Sequence, residues 1–177
     1  MTAPTTQRGF TLIELLIVVA IIGIIAAIAV PGLLRARMSG NEASAIGSLR
    51  AINSAESTFS SSCGANGYAQ SLDDLSKAPV GSTAGFISPE LSTNGVSKSG
   101  FIVNLTADAS AAVVTPASKT CNGAADDAVS AYFAEAHPVP VGSTGQRAFA
   151  TDTRGTIYFT TPGVTIAPGM AGATVLQ

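Results

Sequence analysis

The side chains that most often carry out catalysis are few in this chain, and their spacing matches no catalytic motif. The only histidine, His137, precedes Pro138 at the end of a predicted strand. No nucleophile elbow, phosphate-binding loop or Cys/His pairing accompanies it. We therefore expect a structural role for His137, and the sequence predicts that the chain is not an enzyme.

Carboxylates occur in two adjacent pairs, Asp73–Asp74 and Asp126–Asp127. Side chains of neighbouring residues diverge on a strand and lie about 100° apart on a helix, so neither pair suits general acid and base catalysis. The first pair falls in "QSLDDLSK", which predicts a short helix with Ser71 as its N-cap. A calcium ion takes about six to eight oxygen ligands, more than either pair supplies. We expect no metal and no cofactor.

Two cysteines, Cys63 and Cys121, lie far apart in the sequence. Neither belongs to a CxxC motif or a Cys/His cluster, which argues against a zinc or redox site. A disulfide between them closes a loop of about 60 residues and stabilises the fold by roughly 4 kcal/mol in the chain-entropy model. It also indicates an oxidising compartment. The alternative is two buried free thiols.

Glu14 interrupts an otherwise apolar run, "RGFTLIELLIVVAIIGIIAAIAVP" at residues 8–31. A carboxylate in hydrocarbon costs roughly 2.5 to 3.5 kcal/mol on insertion scales. We therefore expect Glu14 to have a partner. The alternative is a side chain that only extends to the lipid headgroups.

The apolar run is long enough to cross a membrane. Residues 10–30 form a helix of about 31 Å, which matches the hydrocarbon thickness of a bilayer. A secretory signal peptide has a shorter apolar core and a small-x-small cleavage site, of which "AIAVPG" is a poor version.

The charge balance gives no indication of a nucleic-acid partner. Nine Lys and Arg stand against eleven Asp and Glu, for a net charge of −2, and no basic cluster occurs. The chain has no Trp and three Tyr, so few rings are available to stack on bases.

The segment at residues 8–31 resembles the N-terminus of type IV pilins and of the related type II secretion pseudopilins. In that family a short polar leader ends in Gly, here Gly9. A prepilin peptidase cuts before the next residue, here Phe10, whose new amine is then methylated. Glu14 falls at the acidic fifth position of the mature chain, where the resemblance implies that it neutralises the N-terminus of a neighbouring subunit during assembly.

The predicted organisation follows from composition and from this resemblance. We expect a leader at 1–9, a transmembrane and filament-core helix at 10–31, an amphipathic continuation at 32–60 and a globular head at 61–177. Apolar residues in the continuation recur three or four positions apart, as on one face of a helix. These residues are Leu33, Leu34, Met38, Ile46, Leu49, Ile52, Ala55 and Phe59. The charged residues fall mainly between them, so we expect the polar side to face solvent or neighbouring subunits. They are Arg35, Arg37, Glu42, Arg50 and Glu56.

Pro31 removes a backbone hydrogen bond from this helix and crowds the carbonyl of Ala27. The sequence therefore predicts a kink or loosening there. In filaments that the segment resembles, the helix often melts between the positions of Gly23 and Pro31. The alternative is two separate helices with a hinge at Pro31.

Short β-branched or aromatic segments separated by turn residues follow the helix and predict a small antiparallel sheet. The segments are "GFIVNLTA", "AAVVTPA", "AVSAYFAEA", "RAFATDT" and "TIYFTT". The last two form a predicted hairpin that turns around 153–155, and an exposed irregular tail is expected after Pro162. The predicted fold class is α+β, with a long helix, first hydrophobic and then amphipathic, packed on the small antiparallel sheet. The resemblance to pilins implies that this is the pilin fold.

The resemblance implies a structural protein, most like a type IVa major pilin. It implies an inner-membrane prepilin with its head in the periplasm, which polymerises through the N-terminal helix into an extracellular pilus. Such filaments support adhesion, twitching motility or DNA uptake. The implied partners are other copies of the chain, the prepilin peptidase, the inner membrane and, indirectly, the assembly platform with its ATPases.

Two other functions remain open from the sequence. One is a type II secretion pseudopilin, although major pseudopilins typically carry an acidic calcium-binding loop near the C-terminus. The final stretch here, "TTPGVTIAPGMAGATVLQ", contains no acidic residue. The other is a membrane-tethered binding domain that does not polymerise.

Overall fold

The computed structural model describes residues 9–176. The chain divides into two compact units, Met1–Ala36 and Arg37–Gln177. Helix α1, Leu12–Ser62, is 51 residues long and contributes to both units.

Helix α1 continues through Gly23 and Pro31 without interruption. The alternative of two separate helices with a hinge at Pro31 is therefore wrong for the isolated chain, in which one helix runs through both residues. A proline removes one donor from a helix, and the flanking turns retain their own hydrogen bonds. Melting of this stretch in an assembled filament stays a prediction.

Within the second unit, α1 buries one face. The spacing of the buried positions follows the helical period, so they form a single stripe. They are Glu42, Ala45, Ser48, Leu49, Ile52, Ala55, Glu56 and Phe59. The predicted amphipathic pattern is confirmed for the apolar members from Leu49 to Phe59, which are almost fully buried.

The remaining elements are short. Helix α2 is Leu72–Ser76, and single 3-10 turns lie at Pro89–Leu91 and Ala117–Lys119. The strands are β1 Val96–Lys98, β2 Phe101–Ala107, β3 Val113–Thr115, β4 Ala128–Val129, β5 Tyr132–Pro138, β6 Ala148–Asp152, β7 Ile157–Thr160 and β8 Thr174–Val175.

Six strands form one sheet in the order β1-β2-β5-β6-β7-β8, and β3 pairs with β4 in a second, two-stranded sheet. Every pairing is antiparallel. Alternate residues of the central strands, such as Phe101, Val103 and Leu105 of β2, join one core cluster with Leu49 and Phe59 of α1. The predicted α+β fold, a long helix packed on an antiparallel sheet, is confirmed.

The hairpin predicted at 153–155 is confirmed as the turn between β6 and β7. Gly155 has a φ of +71°, a conformation that costs little only for glycine. Its N–H donates to the carbonyl of Asp152 at 2.8 Å, which closes the turn.

Two expectations about the strands were wrong. "AVSAYFAEA" is not one strand, because β4 and β5 belong to different sheets. At the change of partner, Ser130 N–H donates to the Ala112 carbonyl, whereas the Ala131 carbonyl accepts from Asp108. Consecutive residues are thus held by different neighbours.

The segment after Pro162 is also not a wholly exposed tail. Ile166 and Met170 are buried against Phe133 and neighbouring alanines on the sheet face remote from α1. The segment ends in β8, which pairs with β7. Covering that face removes apolar surface from water, which explains why a stretch rich in glycine and proline is ordered.

Candidate functional site

The first turn of α1 is organised by Thr11 and Glu14. The Thr11 backbone N–H donates to Glu14 Oε2 at 2.9 Å, and the Glu14 backbone N–H donates to Thr11 Oγ1 at 3.3 Å. The Thr11 hydroxyl also donates to Glu14 Oε2 at 2.6 Å. This reciprocal arrangement is a capping box, which satisfies backbone donors at a helix N-terminus. Within one chain, the partner of Glu14 is therefore Thr11.

The sequence interpretation missed this contact, although its signal was present. "TLIE" at 11–14 has the T-x-x-E spacing of a capping box directly before an apolar run. The local role does not test the predicted role of Glu14 between subunits, because the carboxylate remains on the exposed surface of the helix.

The predicted processing site lies just before the capped turn. Gly9 and Phe10 are non-helical and exposed, and the Phe10 side chain is 91% exposed. The Gly9–Phe10 peptide bond is thus outside the helical hydrogen-bond ladder. The rest of the predicted leader, residues 1–8, lies outside the described residues.

Among residues 9–176, no other part of the chain covers the apolar side chains at the start of α1. The large apolar side chains from Leu12 to Leu34 are all exposed, down to 46% at Leu34. By length and composition, α1 is able to cross a membrane. An apolar surface of this extent needs lipid or another protein surface to cover it.

Cys63 and Cys121 form a disulfide, as predicted. Cys63 directly follows the last residue of α1, and Cys121 follows the turn at Ala117–Lys119. The alternative of two free thiols is therefore excluded by the structure.

His137 lies beside a buried carboxylate. Its Nδ1 is 3.0 Å from Glu135 Oε2, and Asn104 donates to Glu135 Oε1 at 2.6 Å. The three side chains belong to adjacent strands β2 and β5 and occupy one face of the sheet. No hydroxyl or thiol nucleophile is bonded to this imidazole in the described part of the chain, so the cluster fits the expected structural role.

The two acidic pairs are connected through the backbone. Asp74 is fully buried, and the N–H groups of Ala125 and Asp126 donate to its two oxygens at 2.6 and 3.1 Å. Lys77 also pairs with it at 2.9 Å. Burial alone favours the neutral acid, but the hydrogen bonds from Ala125, Lys77 and Asp126 outweigh it and lower the pKa of Asp74.

The other members of these pairs also bind backbone donors. Asp127 accepts from the N–H of Ala117 at 2.8 Å, and Asp73 accepts from Asn94 at 3.3 Å. The predicted N-cap is confirmed, since Ser71 accepts from Asp74 N–H. Among residues 9–176, no group of three or more His, Cys, Asp or Glu side chains is placed to hold a metal ion.

The expectation that Glu42 and Glu56 lie on the polar side of α1, facing solvent or neighbouring subunits, was wrong, because both are buried. Glu42 accepts from the Gln146 and Arg147 backbone N–H groups and pairs with the Arg147 guanidinium at 2.8 Å. Glu56 is fully buried and accepts from Ala69 N–H at 2.9 Å. Each lies seven positions, or about two helical turns, from the core residue Leu49. Their position on the same helix face was the sequence signal that they are buried.

Residues 4–30 match the family described as Prokaryotic N-terminal methylation motif. The chain is also 49% identical over 53 residues to a type IV major pilin protein PilA of Myxococcus xanthus, covering 30% of this chain and 24% of that protein. It is 63% identical over 35 residues to a type IV wide pilus major component, PilA4, of Thermus thermophilus, covering 20% of this chain and 27% of that protein.

The chain thus aligns with about a quarter of the length of these curated relatives. No solved structure matches it. The resemblance to type IV pilins is confirmed for the N-terminal segment, which carries the methylation motif. Both printed names describe components of type IV pili, and neither names a catalytic activity.

Proposed function

We propose that this chain, whose N-terminal segment is that of a type IV pilin, is the structural subunit of a type IV pilus. Its precursor is held in the inner membrane by residues 10–31, with the head at 61–177 in the periplasm. Prepilin peptidase cleaves between Gly9 and Phe10, and the new Phe10 amine is methylated. The processed chains polymerise through α1 into a surface filament that serves adhesion, twitching motility or DNA uptake.

The observation that carries the proposal is the exposed apolar segment of α1, preceded by an accessible Gly9–Phe10 bond. The same apolar surface can contact lipid before assembly and identical helices in the filament afterwards, because lipid chains and apolar side chains are similarly nonpolar. Gly23 lies on the open surface of α1, where its lack of a side chain favours close approach of another helix.

A filament role is favoured over a pseudopilin role by the relatives. Both printed names describe major components of type IV pili. The described residues of the C-terminal stretch after Thr160 also contain no carboxylate side chain for a calcium loop.

Glu14 is proposed as the assembly residue. Its carboxylate is on the exposed helix surface, where it can approach the ammonium group that cleavage creates on a neighbouring subunit. An ion pair in a filament core is tolerable, whereas an unpaired charge there is costly, so the pair fixes the axial register between subunits.

The test compares Glu14→Ala with Thr11→Ala in cells that express the chain as their pilin. Both variants break the reciprocal capping box, because Thr11→Ala removes the hydroxyl and Glu14→Ala removes the carboxylate, but only Glu14→Ala leaves no charge for a neighbouring subunit. We expect Glu14→Ala to reduce the yield of sheared filaments at least tenfold, while Thr11→Ala assembles. Assembly of Glu14→Ala at the parental level would refute the proposed role, and equal defects would assign it to helix capping.

A further inference from the structure

The segment that joins α1 to α2 has a restricted backbone. Ala65 and Asn66 have φ values of 47° and 72°, in the left-handed region. That region costs roughly 1 to 2 kcal/mol per L-residue. On either side, a Cβ at Gly64 would meet the Gly67 carbonyl, and a Cβ at Gly67 would lie 2.7 Å from the Ala128 side chain. Residues 64–70, here called the connecting segment, therefore need contacts that hold them in place.

One such contact comes from Glu56 of α1. Its Oε2 accepts the backbone N–H of Ala69 at 2.9 Å. Its Oε1 is buried and has no hydrogen-bond partner in the described chain. Glu56 is 0% exposed, and its neighbours on the same helix face, Ile52 and Phe59, belong to the main core cluster. Burial raises the pKa of Glu56 to about 8, although the bond from Ala69 acts in the opposite direction.

The groups packed around Glu56 offer no neutralising charge. Tyr132 of β5 is close enough that Glu56 helps to raise its pKa, after the larger effect of burial, and its hydroxyl donates to Asn53 at 2.9 Å. Tyr68 of the connecting segment packs on Tyr132, with ring centroids 5.1 Å apart. Asp152 of β6 also helps to raise the pKa of Tyr132, and it is itself paired with Arg154. No cation forms an ion pair with Glu56 among residues 9–176.

We propose that Glu56 is a pH-dependent switch, whose neutral carboxyl group holds the connecting segment closed on α1 and whose ionisation opens that segment. The ionised group needs water, and the connecting segment that Glu56 contacts contains the exposed, strained residues Ala65 and Asn66. The disulfide at Cys63 keeps the start of the segment attached to the rest of the head. The switch does not depend on pilus assembly, so it can fail or succeed independently of the proposed function.

The direction of the pH effect follows from the difference in proton affinity. In the open segment Glu56 returns towards the ordinary pKa of 4.5, whereas in the closed segment it is about 8. The closed state therefore binds the proton more tightly and loses stability as the pH rises from about 4.5 to about 8. Over that window the opening constant increases by up to roughly tenfold per pH unit, and it levels off above pH 8.

The test is hydrogen–deuterium exchange of the full chain in detergent micelles between pH 5.5 and 9, corrected for intrinsic exchange rates. We expect the corrected exchange of peptides covering 64–70 to rise at least tenfold between pH 5.5 and 8 in the parent. Glu56→Gln should abolish this rise. The matched control is Glu90→Gln, because Glu90 has a 70% exposed side chain, and it should behave like the parent. A parent without the rise, or a Glu56→Gln variant that retains it, would overturn the proposal.

A second measurement keeps the test decisive if Glu56→Gln does not fold. The carboxyl carbon of Glu56 in the parent chain can be assigned through its backbone and titrated by carbon-13 NMR. A midpoint near 8 supports the switch, and a midpoint near 4.5 rejects it.

Discussion

At the residue scale, three glutamates of one helix occupy three different environments. Glu14 binds Thr11 on an exposed apolar surface, Glu42 pairs with Arg147, and Glu56 is buried with one bonded oxygen. A buried carboxylate is stable when donors and an opposite charge satisfy it, and it is protonated when they do not. The same side chain thus serves as a helix cap, as an ion-pair partner and as a titratable core group.

Glu42 connects α1 to the loop before β6, and its removal is predicted to destabilise the head. Glu42→Ala leaves the Gln146 and Arg147 N–H groups without their acceptor and should cost about 3 kcal/mol. Thermal unfolding of the full chain in micelles should then occur roughly 8 °C lower. Glu90→Ala breaks an exposed ion pair with Lys98 and should shift the midpoint by less than about 3 °C. Equal shifts for the two variants would contradict this interpretation.

At the element scale, glycine has opposite effects on stability in the helix and in the hairpin. Gly47 is an exposed residue in the middle of α1, where a Cβ meets no atom within 4 Å. Gly155 has a φ of +71° and closes the turn between β6 and β7. The helical conformation at Gly47 suits alanine better than glycine, whereas the positive φ at Gly155 is free of strain only for glycine.

Alanine at these two positions is therefore predicted to change stability in opposite directions. Gly47→Ala should raise the free energy of unfolding of the isolated chain by up to about 1 kcal/mol. Gly155→Ala should lower it by about 1 to 2 kcal/mol. Urea denaturation in micelles measures both changes. A destabilised Gly47→Ala variant would show that the helix face at Gly47 is crowded in the isolated chain.

The elements differ in how far the sequence predicted them. Helix α1 and the β6–β7 hairpin were predictable, because a helical apolar period and a glycine turn are local signals. The separation of β4 from β5 depends on the long-range bonds of Ser130 and Ala131, which no local pattern contains. Likewise, the burial of Ile166 depends on a distant sheet face. Both are tertiary effects that override local composition.

The candidate site was predicted unevenly for the same reason. The proposed processing and assembly roles of Gly9, Phe10 and Glu14 came from resemblance to a family, and no contact in one chain tests them. The disulfide was predictable from two isolated cysteines. The roles of Glu42 and Glu56 could not be predicted, because their partners lie in loops elsewhere in the chain. Glu42 binds Gln146, about 100 residues away, and Glu56 binds Ala69, 13 residues away.

At the scale of the whole molecule, the disulfide restricts the unfolded head more than any local bond. Cys63 and Cys121 are 58 residues apart in sequence. The double variant Cys63→Ser/Cys121→Ser should lower the free energy of unfolding by about 4 kcal/mol in the chain-entropy model. The parent chain unfolded in the presence of a thiol reductant is the control and should show the same loss. Unchanged stability in both experiments would contradict a structural role for this bridge.

The apolar segment and the head serve different purposes in the proposed pilus subunit. The first presents a surface that requires lipid or other helices, whereas the second has its own core on both faces of the sheet. Assembly can therefore transfer the helix between two apolar environments while the head keeps its internal packing. The proposal requires that processing occurs before that transfer.

The most direct test is intact-protein mass spectrometry of filaments sheared from cells that express the chain. We predict that the filaments consist mainly of this chain, that it begins at Phe10, and that it carries one N-terminal methyl group. A filament fraction without the chain, with the processed form retained in the cell envelope, would contradict the proposed pilus subunit. A chain that retains residues 1–9 would contradict the proposed processing site.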